Sequence, residues 1–93
     1  MTIDFHAEVD KRKEALMEDL FGLLRINSER DDSKADEKHP FGPGPVKALE
    51  HFLALAERDG YKTRNIDNYA GDFEFGQGDE VLGIFAHLDV VPA

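Results

Sequence analysis

The sequence predicts an α/β fold in which two helices precede about three β-strands, and three observations support this prediction. Apolar residues recur at helical spacing in residues 4–26 and again in residues 45–59. In two short segments after the second helix, charged residues alternate with uncharged residues, which is typical of strands. Finally, residues 81–86 are apolar without alternation, as expected for a strand covered on both faces. The same order of elements also fits an α+β fold, which stays open as the alternative.

The first helix is predicted from about Asp4 to Ile26. Its apolar residues recur at spacings of three, four and seven and form one stripe, whereas most charged residues fall elsewhere. Such a stripe packs against a core or, alternatively, docks on a partner helix. The stripe consists of Val9, Leu16, Met17, Leu20, Phe21 and Leu24.

Residues 27–45 are predicted to form a long loop, because they are polar and then rich in Pro and Gly. The segment is longer than most connections that lack secondary structure of their own. Two interpretations remain open for it. It is either a solvated connector or one wall of a functional cleft.

The second helix is predicted to begin at Pro45, whose fixed φ suits the first helical position. Gly60 follows its last turn and is expected to cap it, because glycine adopts positive φ without a steric penalty. The apolar stripe of this helix comprises Val46, Leu49, Phe52, Leu53 and Ala56.

The strands are predicted from three successive segments. "YKTRNI", residues 61–66, is typical of an edge strand, and "DFEF" places Phe73 and Phe75 on one face of the next strand. "GQGDE" predicts a hairpin-like turn, after which residues 81–86 form the third strand.

The bulk composition indicates one small globular domain. The chain has 93 residues, of which 41% are hydrophobic and 33% charged. Its formal net charge is −9, and it has no run rich in Lys and Arg, so neither nucleic acid nor an anionic membrane is an expected partner. Since cysteine is absent, any metal must be held by His, Asp or Glu.

The N-terminal residues predict a cytoplasmic protein. Residues 1–20 are charged and lack the continuous apolar stretch of a signal peptide. No run in the sequence approaches the roughly 20 apolar residues that span a bilayer. The absence of cysteine is compatible with the same compartment.

The predicted third strand ends on His87 and, after one residue, Asp89. Side chains two residues apart on a strand point to the same side, and chemistry in α/β folds usually lies at the C-terminal ends of strands. A carboxylate beside an imidazole fixes its tautomer and raises its basicity, as it does for most metal-bound histidines. On chemistry and spacing alone, His87 is either a metal ligand or a hydrogen-bonded structural histidine.

The sequence around this motif resembles a motif of a known protein family. "GIFAHLDVVPA" is similar to the first metal-ligand motif of the zinc-dependent aminoacylase/carboxypeptidase G2 family of co-catalytic metallopeptidases, in which His-x-Asp and Val-Val-Pro follow an apolar strand. "INS", "PFGPGPVKALEHFLALAERDGY", "NYAGDFEFG" and "LGIFAHLDVVPA" are similar, in this order, to the N-terminal part of PepV-type dipeptidases. The resemblance covers the chain from about residue 10 to residue 93.

The resemblance implies that residues 1–93 are the N-terminal portion of a larger zinc-peptidase-like α/β/α catalytic domain with a dipeptide substrate. It implies that His87 is a metal ligand and that Asp89 is the catalytic-site carboxylate that hydrogen-bonds His87 without binding metal. The implied cofactor is Zn²⁺, with two ions in the complete enzyme and Mn²⁺ as the alternative. The family's other acidic ligands, its general-base glutamate and its second histidine follow this motif, and the 93 residues do not include them.

A catalytic zinc needs about three protein ligands, and only His87 is assigned. His6, His39 and His51 are poor substitutes, because they precede the first stripe, lie in the loop and lie on the surface of the second helix. We therefore expect the 93 residues alone to be inactive. The alternative is a non-catalytic fragment that forms a homo-oligomer through exposed strand edges, burying Phe73, Phe75, Ile84 and Phe85.

Overall fold

Two helices and a two-stranded antiparallel sheet make up the computed structural model, which describes residues 2–93. Helix α1 spans Phe5–Leu24 and helix α2 spans Pro43–Arg58. Strands β1 and β2 span Thr63–Ile66 and Ala70–Phe73. The prediction of a mixed α/β chain is confirmed. Among the described residues, neither helix is long and apolar enough to cross a membrane.

Helix α1 begins where the sequence predicts, but its apolar stripe is not buried. The side chain of Asp4 caps the helix by accepting a hydrogen bond from the Ala7 amide at 3.1 Å. No residue of α1 is buried, and every apolar residue of the predicted stripe is exposed. Helix α1 is therefore held by a few specific contacts with α2 and not by a shared core.

Helix α2 carries the core. It begins at Pro43, two residues before the predicted start, because both Pro43 and Pro45 can occupy a first turn whose N–H groups have no intrahelical partner. In the described part of the chain, every buried hydrophobic residue lies on this helix: Val46, Ala48, Leu49, Leu53 and Ala56.

The predicted cap at the end of α2 is confirmed. Gly60 has a φ of 94° and its N–H donates to the Glu57 carbonyl at 3.0 Å, while the Tyr61 N–H donates to the Ala56 carbonyl at 3.0 Å. This pair of bonds is the Schellman motif. It reverses the chain so that β1 returns alongside α2.

Strands β1 and β2 form a hairpin that covers the buried side of α2. Thr63 pairs with Phe73 and Ile66 with Ala70, and the turn between them has positive φ at Asp67 and Asn68. Two such residues in succession suit the twist of a hairpin. The ring of Phe73 lies 5.3 Å from that of Tyr61 and 6.0 Å from that of Phe52 between centroids.

Close contact between the hairpin and α2 depends on Gly71. A Cβ atom at this position would lie 2.9 Å from Cδ1 of Leu49, 3.0 Å from Cδ1 of Leu53 and 3.1 Å from the Arg64 carbonyl oxygen. Both leucines are buried, so neither can move aside without disturbing the core.

The prediction of a third strand at residues 81–86 is wrong for this structure. Val81, Leu82, Ile84 and Phe85 are between 87 and 97% exposed, and no strand is formed after Phe73 in residues 2–93. The "GQGDE" segment forms a bend and not the predicted hairpin turn. A strand needs a neighbour to bond its N–H and C=O groups, and no other described segment runs beside residues 81–86.

Two contacts join the second half of α1 to the second half of α2. Arg58 donates two hydrogen bonds to the Asp19 carboxylate, at 2.9 and 3.0 Å. Gly22 lies against the half-buried His51 ring, which a Cβ at position 22 would approach to 2.9 Å. His51 is thus partly covered by α1 and not simply a surface residue.

The loop between the helices is fixed at both of its ends and beside the hairpin. A Cβ on Gly44 would collide with the Asn27 carbonyl oxygen, so the first turn of α2 crosses directly over the end of the α1 segment. Farther along, the Asn68 side-chain amide donates to the Lys38 carbonyl at 2.7 Å. The Phe41 and Tyr69 rings meet edge to face at 5.5 Å. The loop is therefore attached to the fold and not free in solvent.

We expect Gly71→Ala to lower the free energy of unfolding by about 1–3 kcal/mol, the usual cost of inserting atoms into a packed core. Urea denaturation followed by circular dichroism at 222 nm measures it. Gly83→Ala is the matched control, because only the Phe85 ring, at 3.4 Å, comes near an added Cβ. Equal midpoints for the two variants would contradict the packing described.

We expect Asp19→Asn to destabilise the protein at pH 7 but not in strong acid. The hydrogen bond from Arg58 holds the pKa of Asp19 below its ordinary value. The stabilisation that this ion pair contributes is therefore complete above a pH of about 4. It is lost as the pH falls through the lowered pKa that Asp19 has in the folded protein.

Thermal unfolding from pH 7 to pH 2 should show the difference between wild type and Asp19→Asn shrinking below pH of about 4. Glu14→Gln on α1 removes the same charge from a residue that forms none of the ion pairs found in the structure, so it corrects for net charge. A wild-type advantage that persisted at pH 2 would disprove the role of the ion pair.

Candidate functional site

His87 and Asp89 lie in direct contact. Nδ1 of His87 is 3.2 Å from Oδ1 of Asp89 and 2.9 Å from the Asp89 carbonyl oxygen. Both oxygens can only accept, so Nδ1 carries the proton and donates, which leaves Nε2 with its lone pair in the neutral ring. The two side chains are 83 and 59% exposed, and the imidazole is accessible to a ligand.

The side chains of this pair are more exposed than the residue between them, although no strand is formed here. Leu88 is half-buried, whereas His87 and Asp89 are exposed. Leu88 is also the one residue from 74 to 93 that is not exposed. All three residues line the cleft described below.

The segment that follows α1 anchors the motif. The N–H of Val90 donates to the carbonyl oxygen of Ser28 at 3.3 Å, and Glu29 and Val90 form a parallel bridge. Ser28 is 4% exposed and is the buried polar residue of the described chain. The His-x-Asp segment is thus fixed to the end of the first helical unit by a main-chain contact.

An open cleft of about 1090 Å³ extends from this pair to α2 and the hairpin. Residues from four parts of the chain line it, including Leu49 of α2, Tyr69 of the turn, and His87 and Asp89. Arg30 and Phe41 of the loop also line it. Of the two interpretations of residues 27–45, the structure supports the one in which the loop forms part of a cleft wall.

The described residues do not form a complete metal site. Within residues 2–93, no group of three or more His, Cys, Asp or Glu side chains could hold an ion. His39 instead lies 2.8 Å from the Asp36 carboxylate within the loop, and that contact lowers the pKa of Asp36. The free Nε2 of His87 fits a single bond to a divalent cation, and the carboxylate behind it fits the usual partner of such a histidine.

Sequence reasoning did not identify Arg30 as a residue of this cleft. Its guanidinium lies over the Phe41 ring at 5.3 Å and its Nε donates to Asp32 Oδ1 at 2.7 Å. The Asp32 hydrogen bond is the main cause of its raised pKa, and the charge of Asp89 adds to it. The bridge that brings Arg30 near the motif joins residues 61 positions apart, and no local pattern reveals such a pairing.

Comparison with known proteins finds similarity to proteins that are named dipeptidases. No family model matches the chain. A Staphylococcus haemolyticus protein named "Putative dipeptidase" is 49% identical over 86 residues. Proteins with the same name from Staphylococcus aureus strains USA300 and NCTC 8325 are 50% identical over 86 residues.

These matches cover 92% of this chain but 18% of each relative. The chain therefore spans about 18% of the length of the curated relatives that it matches. Over most of its residues it is similar to part of proteins that are named dipeptidases.

Proposed function

We propose that this chain contributes the first metal ligand, His87, and its orienting carboxylate, Asp89, to a metal-dependent dipeptidase of the PepV type. The observation that carries the proposal is the 3.2 Å contact between His87 Nδ1 and Asp89 Oδ1. Similarity to proteins named dipeptidases supports the reaction class. The resemblance of the His-x-Asp motif to a zinc-peptidase motif supports the metal.

In this proposal the two residues act as a unit. Asp89 accepts a hydrogen bond from the Nδ1–H group, fixes the ring and raises the basicity of Nε2, the atom that would bind the ion. A bound divalent ion, zinc or alternatively manganese, supplies Lewis acidity toward the scissile carbonyl and a water of lowered pKa. The remaining ligands and the general base belong to residues beyond these 93, in accord with the greater length of the relatives.

The cleft suits a short peptide with a free amino end. The ionisable residues that line it are mostly acidic, namely Asp72, Glu74, Glu80 and Asp89, against one arginine. An acidic lining attracts an ammonium group. Apolar side chains of α2 and the hairpin line the same space and can receive substrate side chains.

We expect His87→Ala to abolish zinc-dependent dipeptide hydrolysis in a form extended to the length of the relatives. Asp89→Ala should retain weak activity and lose about 10- to 100-fold in zinc affinity, the usual effect of removing a ligand's hydrogen-bond partner. Chelator competition measures the affinity, and ninhydrin assay of released amino acids measures hydrolysis.

His6→Ala is the matched control, since His6 lies in the first turn of α1 and should change neither quantity. An extended protein that stays inert with every divalent metal would refute the proposed activity. Hydrolysis by the 93 residues alone would refute the assignment of essential groups to residues beyond them.

A second candidate function, self-association, is favoured by the exposure of the segment after β2. Phe75 is 87% and Phe85 97% exposed, and residues 81–86 have no strand partner among the described residues. Unpaired apolar strands recruit other strands. We propose that a second copy of this chain pairs there, covering Phe73, Phe75, Ile84 and Phe85.

We expect the 93-residue chain to sediment as a dimer or larger species at high concentration. Phe85→Asp should shift the equilibrium toward monomer, because it places a charge in the contact. Phe5→Asp, at an exposed position on α1, is the control and should leave association unchanged. A monodisperse monomer at all concentrations would exclude this candidate.

A further inference from the structure

The parallel bridge between Glu29 and Val90 places Arg30 beside the His-x-Asp motif. In a parallel pair with this register, Ser28 lies next to Asp89 and Arg30 lies next to Val91. Arg30 and Asp89 therefore flank this single bridge, and both line the cleft. Arg30 is diagonal to Asp89, a separation that long side chains span.

The guanidinium of Arg30 is held in place by contacts of its own. It lies 5.3 Å from the Phe41 ring centroid, and Nε donates to Asp32 at 2.7 Å. The Phe41 ring is in turn placed by the hydrogen bond from the Asp31 N–H to the Phe41 carbonyl, at 3.0 Å. Among the described residues, the two terminal nitrogens of Arg30 donate no hydrogen bond, so they are available to a carboxylate.

Among the acidic residues that line the cleft, Asp89 is the one whose charge acts on the Arg30 guanidinium. Asp72, another acidic residue of the lining, is already bonded by Arg64. Arg30 is the one lysine or arginine among the lining residues. Asp89, after Asp32, is the second acidic residue whose charge acts on the Arg30 guanidinium.

We propose that Arg30 is a positioning residue for the His87–Asp89 pair, with its guanidinium directed at the Asp89 carboxylate so that one carboxylate oxygen stays on Nδ1 of His87. The inference rests on the proposed function of that pair. A carboxylate on an exposed segment rotates freely unless a second donor restrains it. The structure contains no hydrogen bond or ion pair between Arg30 and Asp89. Once a terminal nitrogen of Arg30 donates to the other carboxylate oxygen, Oδ1 is held toward the imidazole, and the ring keeps its proton on Nδ1 and its lone pair on Nε2.

The positioning role can be tested in the absence of metal, because it affects which ring nitrogen of His87 carries the proton. Long-range ¹H–¹⁵N correlation spectra of the ¹⁵N-labelled 93-residue chain, at a pH where the ring is neutral, give the ratio of Nδ1–H to Nε2–H forms. We expect Arg30→Gln to reduce this ratio on the order of two- to fivefold, the range that a charge pair across two strands supports. Arg30→Lys should restore part of it, since the charge remains but the planar fork is lost.

Two further variants serve as the negative and positive controls for the tautomer ratio. Arg25→Gln removes a charge from the same segment, on a residue outside the cleft lining, and should leave the ratio unchanged. Asp89→Ala removes the acceptor and should give the lowest ratio. Amide spectra of each variant report whether the fold is retained, and Arg30→Lys provides the comparison if Arg30→Gln disturbs it.

An unchanged ratio in Arg30→Gln, or equal effects of Arg25→Gln and Arg30→Gln, would overturn the inference. Zinc affinity in the extended form separates this outcome from failure of the proposed function. A tautomer shift with no zinc binding supports the positioning role and counts against the metal site. Tight zinc binding together with an unchanged tautomer ratio in Arg30→Gln refutes the positioning role alone.

Discussion

Packing between α2 and the hairpin is the contact on which the rest of the structure depends. All the buried hydrophobic residues of the described chain lie on α2, and burial of apolar surface is the main favourable term in folding. Gly71 permits the hairpin backbone to approach Leu49 and Leu53 closely enough to close that core. The other parts of the chain attach to this unit chiefly through polar contacts: Asp19 with Arg58, Asn68 with Lys38, and Val90 with Ser28.

The candidate site lies at the edge of this core and is built mainly from loop segments. Its position is set by main-chain contacts between residues 28–29 and 90, and Arg30 supplies the one arginine of its lining. Functional groups are commonly carried on loops that a rigid scaffold holds. Here the scaffold is α2, and the segment after α1 connects it to the imidazole.

Sequence reasoning succeeded where structure is determined locally. Both helices, the cap at Gly60 and the contact between His87 and Asp89 depend on neighbours within a few residues, and all four were predictable. It failed for residues 81–86, since an unbroken apolar run indicates that a strand should be covered but not which segment covers it. Arg30 was missed for the related reason that its approach to the motif depends on pairing across 61 positions. The exposed stripe of α1 shows the same limit, because periodicity identifies an apolar face and not its partner.

The crossing at Gly44 limits how the two helices can be reoriented. No side chain fits between this residue and the Asn27 carbonyl, so the angle between the helices is fixed where the first turn of α2 passes the residues that follow α1. A Cβ atom at position 44 would force these two backbones apart, and it would displace with them the neighbouring residues Ser28 and Glu29, which contact the His-x-Asp segment.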